Sequence, residues 1–219
     1  MSQVTGRPGR ECVTCPGGQR RHYGKRVENG EYQMSLALTL AGSGLLLLQS
    51  AATPPPDACV GAPWNAFDFW VGDWNVYAPD TDDAPGPYLG HNQIERINGG
   101  CLVTEHWVGA SGNAGNSINI HDPLIGEWRQ VWMSNGWYID YTGGLDEVGA
   151  MVLTGEAYTV QTDTRAPLRG SWTPNDDGTV TQQFDQGDGE GNWQTVFIGI
   201  YVPKADDPRA AEAAAARGE

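Results

Sequence analysis

Short segments in which apolar and polar residues alternate fill the chain from Asp73 onward, and turn residues separate them. A period of two is typical of β-strands with one buried face. The turns "NGG" at 98–100, "NG" at 135–136 and "NDDG" at 175–178 supply the glycine and asparagine that tight hairpins need. The pattern predicts ten strands, at about residues 73–78, 89–97, 101–109, 115–121, 127–133, 136–143, 150–158, 168–173, 179–185 and 193–202.

The connections between these segments are short, which favours antiparallel pairing of successive strands. Ten strands are many for an open sheet, and closure removes the unpaired edges. We therefore predict an all-β fold, a single up-and-down antiparallel barrel of about ten strands. The stretch "FDFWVGDWNV" at 67–76 precedes it, and we expect Phe67 to Trp70 to form a short helical plug. Gly72 would then be the bend into the first strand, with Trp74 pointing inward.

Residues 36–48, "LALTLAGSGLLLL", have the length of a signal-peptide core and are too short to span a bilayer securely. Ser50 and Ala52 are placed for cleavage after Ala52. We expect an exported protein, periplasmic or extracellular, with no membrane insertion after cleavage. The predicted organisation is a doubtful leader or mis-assigned start at 1–33, a signal peptide at 34–52, a tether at 53–62, the barrel at 63–204 and a flexible tail at 205–219.

Charge and cysteine content refine this interpretation. The 219 residues carry a net charge of −14, and from residue 53 onward there are 24 acidic and 7 basic side chains, a net of −17. Such a domain repels phosphate backbones, so we expect no nucleic-acid partner. Cys59 and Cys101 are the two cysteines after the cleavage site, and in an exported domain they most simply form one disulfide. Cys12 and Cys15, a lone C-x-x-C, do not indicate a zinc site.

Several sequence stretches carry a resemblance to a known family. Gly72-Asp73-Trp74 resembles the Gly-x-Trp of the calycin superfamily, which includes lipocalins, fatty-acid-binding proteins and nitrobindin-like barrels. Over about residues 59–204 the chain resembles exported bacterial proteins of the domain-of-unknown-function family 1579. The resemblance implies a calycin-like barrel and no particular activity. The stretches that carry it are "FDFWVGDWNV", "GGCLVTEHW", "SINIHD", "EWRQVWMSNG", "MVLTGE", "SWTPNDDGTVTQQF" and "NWQTVFIGIY".

Alternation also assigns side chains to faces. Trp128, Gln130 and Trp132 share one face, and a face with two tryptophans is better placed inside than in water. A lumen that mixes aromatic rings with a few polar groups is typical of a small-molecule pocket. A filled barrel, with the polar groups bonded to one another, is the alternative. The predicted ligand-binding residues are Trp74, Glu105, Trp107, Asn119, Trp128, Gln130, Trp132, Tyr138 and Asp140.

The main prediction is thus an exported barrel that binds a small, partly apolar molecule in its lumen. An enzyme is a second interpretation, with Glu105 as general acid or base, paired with Asp140 if both face inward. A structural or interaction barrel without a ligand is a third. The region contains no G-x-S-x-G, H-E-x-x-H, P-loop or dinucleotide motif. The sequence carries no prediction of the oligomeric state.

Metal and haem sites are weaker possibilities. The nitrobindin resemblance would suit haem if histidines gathered in the lumen, yet His106 falls on the face opposite Glu105. The oxygen-rich stretch 185–192 lacks the spacing and closing Glu of a calcium loop, so we interpret it as an acidic hairpin loop. We therefore predict no metal and no cofactor. The residues weighed for these sites are His91, His106, His121, Asp185, Asp188, Glu190 and Asn192.

Overall fold

Ten antiparallel strands form a closed barrel in the computed structural model, which describes residues 58–218. The strands follow one another around the barrel in chain order, and β1 closes it by pairing with β10. The prediction of an all-β, closed antiparallel barrel is confirmed. The strands are β1 (Gly72–Tyr77), β2 (Tyr88–Ile97), β3 (Leu102–Gly109), β4 (Ala114–Asp122), β5 (Glu127–Ser134), β6 (Trp137–Leu145), β7 (Met151–Thr159), β8 (Thr164–Pro174), β9 (Val180–Gly187) and β10 (Trp193–Pro203).

Each predicted strand has a counterpart, and the largest difference is the start of β8. This strand begins at Thr164 rather than at residue 168. Pro167 disfavours a strand at this position, because proline cannot donate a ladder hydrogen bond. In the structure Pro167 lies opposite Glu156, and pairing with β7 continues back to Thr164. The tertiary register therefore overrides the local preference at this point.

The β5–β6 hairpin shows how turn chemistry sets the register. Asn135 and Gly136 form the two-residue connection, and Gly136 has φ 84°, a conformation that L side chains rarely adopt. Ser134 consequently pairs with Trp137, and the ladder continues until Gln130 lies opposite Tyr141. Directly opposed residues point to the same side of the sheet, so Gln130 and Tyr141 share the lumen.

Aromatic rings fill one end of the lumen, which we call the aromatic end. A 3-10 turn at Asp68–Trp70 precedes β1, and Phe67 and Trp70 are completely buried. The two rings stack with centroids 4.8 Å apart, and Phe67 contacts Trp128 at 5.7 Å and Trp172 at 5.3 Å. The Trp74 Nε1–H donates to the Trp70 carbonyl oxygen at 2.9 Å. These contacts make the aromatic end part of the buried core.

A disulfide holds the start of the described chain against the β2–β3 hairpin. Cys59 and Cys101 are bonded, with Cα atoms 4.9 Å apart, so the predicted pairing is confirmed. Beside it, the Arg96 guanidinium donates to the Gly100 carbonyl at 2.6 Å and to the Trp64 carbonyl at 2.9 Å. The segment that leads into the aromatic end is thus attached both covalently and by hydrogen bonds.

The C-terminal residues correct one prediction. Residues 205–219 were expected to be a flexible tail, whereas helix α1 (Ala210–Arg217) packs on the outside of the barrel with Ala213 buried. Asp207 accepts hydrogen bonds from Asn75 at 2.6 Å and from Tyr77 at 2.7 Å. The Arg209 guanidinium lies 4.0 Å from the centre of the Tyr77 ring. Alanine-rich composition favours the helix, and these side-chain contacts anchor it.

The predictions for the leader at 1–33, the signal peptide at 34–52 and the first half of the tether at 53–62 lie outside the described residues, as do Cys12 and Cys15. Within residues 58–218, no helix has the length and apolar character to cross a membrane.

Candidate functional site

A cavity of about 350 Å³ lies in the lumen at the end opposite the aromatic end. We call this the cavity end. It is where β3 runs into β4, β5 into β6 and β9 into β10. The cavity is bounded by apolar rings along its walls and by amides, a phenol and one carboxylate at its base. The lining residues are Glu105, Trp107, Asn113, Gln130, Trp132, Ser134, Trp137, Gln182, Phe184, Gln186, Val196, Phe197 and Tyr201.

The walls are aromatic because inward positions of β3, β5, β6, β9 and β10 carry large rings. Trp107, Trp132 and Trp137 come from β3, β5 and β6. Phe184 and Phe197 face them from β9 and β10, with their ring centroids 5.7 Å apart. The Trp132 Nε1–H is buried and has no hydrogen-bond acceptor within residues 58–218. The wall therefore offers a ligand extensive apolar contact and one free donor.

A network of polar side chains crosses the lumen between the cavity and the aromatic end. Glu105 lies at its centre, 5% exposed. The Asn92 Nδ2–H donates to Glu105 Oε1 at 2.7 Å, and the Ser117 hydroxyl donates to Oε2 at 2.6 Å. Asn92 also donates to the Tyr201 hydroxyl at 3.1 Å, which in turn donates to Gln182. Strands β2, β3, β4, β9 and β10 all contribute to this arrangement.

The network continues on the other side of Ser117. Asn119 Nδ2 donates to the Ser117 hydroxyl at 2.9 Å and to the Val103 carbonyl at 3.1 Å. Gln130 donates its amide hydrogen to Asn119, and the Tyr141 hydroxyl donates to Gln130. Buried polar groups require such partners, so these residues support one another. The chain of donors runs from Tyr141 toward Glu105.

Burial dominates the acid–base properties of the network. It raises the pKa of Glu105 from 4.5 to about 7, although the hydrogen bonds from Ser117 and Asn92 oppose the rise. Burial likewise raises the pKa of Tyr141 and of Tyr201 well above the usual value, and the nearby Glu105 carboxylate adds to both increases. Both phenols are therefore neutral near pH 7, and Glu105 is the group that titrates there.

Most of the predicted site residues do share the lumen, though only some of them border the cavity. Glu105, Trp107, Gln130 and Trp132 line it. Asn119 lies in the polar network below them. The remaining two inward residues, Trp74 and Trp128, belong to the aromatic end.

Tyr138 and Asp140 are placed differently from the prediction, because they lie on the outer face of β6. Asp140 accepts two hydrogen bonds from Arg129, at 2.9 and 2.6 Å, and one from Tyr138 at 3.2 Å. The Arg129 bonds lower the pKa of Asp140. Alternation separated the two faces of β6 correctly, but Ile139 and Tyr141 occupy the inner one. Glu105 and Asp140 therefore do not form a catalytic carboxylate pair.

Several residues of the site were not among the predicted ones. Ser117 alternates onto the same face as Asn119, and Phe184 onto the same face as Gln182, so alternation along β4 and β9 would have identified them. The contacts of Asn92 with Tyr201 depend on barrel closure, since β2 and β10 lie on either side of β1. The further site residues are Asn92, Ser117, Trp137, Tyr141, Gln182, Phe184, Phe197 and Tyr201.

The histidines among residues 58–218, which are His91, His106 and His121, do not gather in the lumen. His106 bonds Asn116 at 2.7 Å on the outer surface. His121 packs against Trp64 and Trp128 near the aromatic end, with ring centroids 5.2 and 6.3 Å away. Within residues 58–218, no group of three or more histidine, cysteine, aspartate or glutamate side chains is positioned to hold a metal ion.

The stretch 185–192 forms the connection between β9 and β10. Asp188 accepts hydrogen bonds from the Glu190 backbone N–H at 2.8 Å and from the Asn192 side chain at 2.7 Å. Asp185 instead pairs with Arg169 at 2.8 Å on the outer face. These carboxylates are therefore engaged by the chain itself, Asp188 in holding the loop and Asp185 in an ion pair.

No protein-family model matches the chain, and a search of curated proteins gives no match either. The chemistry of the site then follows from its own residues. Aromatic walls can enclose an apolar body, and amide and hydroxyl groups at the base can orient a polar substituent. Glu105 adds the capacity to carry a negative charge or to exchange a proton near neutral pH.

Proposed function

We propose that this protein binds a small, partly apolar molecule in the lumen of an exported, calycin-like barrel. The cavity of about 350 Å³ at the cavity end carries this proposal, because it combines aromatic walls with a polar base. Trp107 and Trp132 would contact the apolar part of the ligand. The unpaired Trp132 Nε1–H would donate to a polar substituent on it.

The calycin assignment and the family resemblance belong to the same proposal. Gly72 and Trp74 at the start of β1 support it, as does the 3-10 turn whose Phe67 and Trp70 pack into the aromatic end. We propose that this turn acts as a plug, so that a ligand enters from the cavity end. Membership of the domain-of-unknown-function family 1579 stays a prediction.

Export is proposed from the leader-like segment at 34–52 together with the Cys59–Cys101 disulfide. Disulfides persist in oxidising compartments and are rare in the cytosol. Mass spectrometry of protein recovered from its own host is expected to give a mature start near Thr53. Recovery of a chain that retains residues 1–33 would contradict this processing.

The test of lumen binding uses an environment-sensitive apolar dye, with tryptophan fluorescence as a second signal. Trp132→Ala removes a ring from the cavity wall and should weaken dye binding. Trp193→Ala is the matched control, because Trp193 lies on the outer face. The Arg169 guanidinium carbon is 4.8 Å from the centre of the Trp193 ring. Native mass spectrometry of the protein from its host would reveal a retained ligand by its mass. Absence of dye binding and of any retained molecule would favour a filled barrel without a ligand.

One observation favours an enzyme as the second candidate. Glu105 is buried beside the cavity with a pKa of about 7, which suits a general acid or base at neutral pH. If a retained ligand is converted to product, Glu105→Gln should abolish turnover while binding persists. Stoichiometric retention of the ligand without conversion would exclude this role for Glu105 toward that ligand.

A further inference from the structure

The cavity contains a carboxylate without a counter-ion. Glu105 forms no ion pair with any of residues 58–218. Two arginines of the barrel strands point outward: Arg129 pairs with Asp140, and Arg169 pairs with Asp185. A buried charge is normally paired, since removal from water is costly. The lumen thus lacks one positive charge.

The hydrogen bonds of the network suit the ionised form of Glu105. Both of its oxygens accept, one from Asn92 and one from Ser117. Every donor on the Tyr141 side is also directed toward the carboxylate. Each carboxylate oxygen keeps a further lone pair for another donor. In addition, the buried Asn92 Oδ1 has no donor within residues 58–218. The region around Glu105 therefore has hydrogen-bond acceptors that a ligand with N–H donors could satisfy.

Aromatic rings lie beside the same carboxylate. Trp107, Trp132 and Trp137 border the cavity together with Phe184 and Phe197, and Glu105 borders it with them. The face of an aromatic ring carries negative electrostatic potential and attracts a cation, with tryptophan the most effective. An anionic ligand would meet repulsion from Glu105. A neutral apolar ligand would leave the carboxylate uncompensated.

From these observations we infer that the ligand is an amine with an apolar body, bound as its ammonium ion against the Glu105 carboxylate and among the aromatic rings of the cavity. The inference rests on the proposed function and specifies its ligand class. The ammonium donates to the free lone pairs of Glu105, and the apolar body lies along the tryptophans. The net charge of −17 from residue 53 onward attracts such a cation from solution.

Binding of the ammonium is coupled to the protonation of Glu105. The titratable groups that face it are Tyr141 of β6 and Tyr201 of β10, both neutral because burial raises the pKa of each. The network residues from β2, β4, β5 and β9 are uncharged; Asn92 and Ser117 bond Glu105 directly, and Asn119, Gln130 and Gln182 bond their neighbours in the network. With a Glu105 pKa of about 7, affinity for an ammonium should fall about tenfold per pH unit below that value.

The experiment compares 2-phenylethylamine with 2-phenylethanol on the unaltered protein by isothermal titration calorimetry at pH 8 and pH 6. The two probes share an apolar body and differ in charge, and an alkyl ammonium stays protonated at both pH values. The amine is expected to bind at least about tenfold more tightly than the alcohol at pH 8 and to lose most of this advantage at pH 6. Measurement in two buffers of different ionisation enthalpy should detect proton release on amine binding at pH 6.

Glu105→Gln should remove the preference for the amine and retain binding of the alcohol. Glu95→Gln is the matched control, since Glu95 is exposed on the outer face of β2. If the apolar dye binds but the amine has no advantage over the alcohol, the ammonium inference is overturned and lumen binding stands. If neither the dye nor either probe binds, lumen binding itself is overturned. The probe comparison needs no variant, so a folding defect of Glu105→Gln would not leave the question open.

Discussion

Replacing Glu105 by glutamine is expected to change how the stability of the barrel depends on pH. The pKa of Glu105 rises from 4.5 to about 7 on folding. A folded-state pKa above the unfolded value means that the folded protein binds the proton more tightly. Protonated Glu105 therefore stabilises the folded state. This contribution is complete below pH 4.5 and is lost as the pH rises through 7. The shift corresponds to about 3 kcal/mol of unfolding free energy, of which about 2 to 3 kcal/mol falls between pH 5 and pH 8.

The measurement is guanidinium unfolding followed by tryptophan fluorescence at intervals between pH 5 and pH 8. The informative quantity is the unfolding free energy of Glu105→Gln minus that of the unaltered protein. It should increase with pH by about 2 to 3 kcal/mol. Burial lowers the pKa of His91 below its usual value, so the contribution of His91 to stability has the opposite sign, but His91 is present in both proteins and its contribution cancels in the difference.

The exposed Glu95 supplies the control for this series. Glu95→Gln removes the same charge from the outer face and should leave the pH profile of the parent unchanged. Parallel profiles for Glu105→Gln and the parent protein would refute the reasoning, because they would mean that the Glu105 carboxyl titrates alike in the folded and unfolded states.

Three further perturbations test the rest of the structure. Reduction of Cys59–Cys101, or the substitution Cys101→Ala, should lower the free energy of unfolding by about 4 kcal/mol. This value follows from the chain-entropy model for a separation of 42 residues. Denaturant titration with and without reductant measures it. Phe67→Ala, at the centre of the aromatic end, should cost about 3 to 5 kcal/mol, and a loss below about 1 kcal/mol would mean that the aromatic end is not part of the core. Asp140→Asn should change the free energy of unfolding by less than about 1 kcal/mol and leave dye binding unaltered. Weakened dye binding would mean that Asp140 does contribute to the binding site.

Alternation in the sequence identified the ten strands because each inner position must be filled and each outer one meets water. It also grouped Trp128, Gln130 and Trp132 correctly, since two tryptophans on one face decide which side is buried. For β6 the same reasoning fails, because both faces carry aromatic residues, Tyr138 on one and Tyr141 on the other. Alternation defines two faces, but it does not say which one is inside.

The register of the β5–β6 hairpin contained the missing information. A two-residue Asn-Gly connection places Ser134 opposite Trp137, and counting back along both strands places Gln130 opposite Tyr141. Once Gln130 is inward, Tyr141 must be inward as well. The contact between Asn92 and Tyr201 was out of reach of such reasoning, because it joins residues 109 positions apart through closure of the barrel.

The pairing of the first strand with the last has a consequence for the order in which the chain folds. Successive hairpins from β2 to β9 need only neighbouring residues, whereas Trp74 meets Pro203 only after the whole domain has been made. Until β10 is in place, β1 and β9 both present open edges that invite pairing with other chains. A newly made chain is thus most exposed to aggregation in the interval before its last strand docks, which is where a chaperone would be needed.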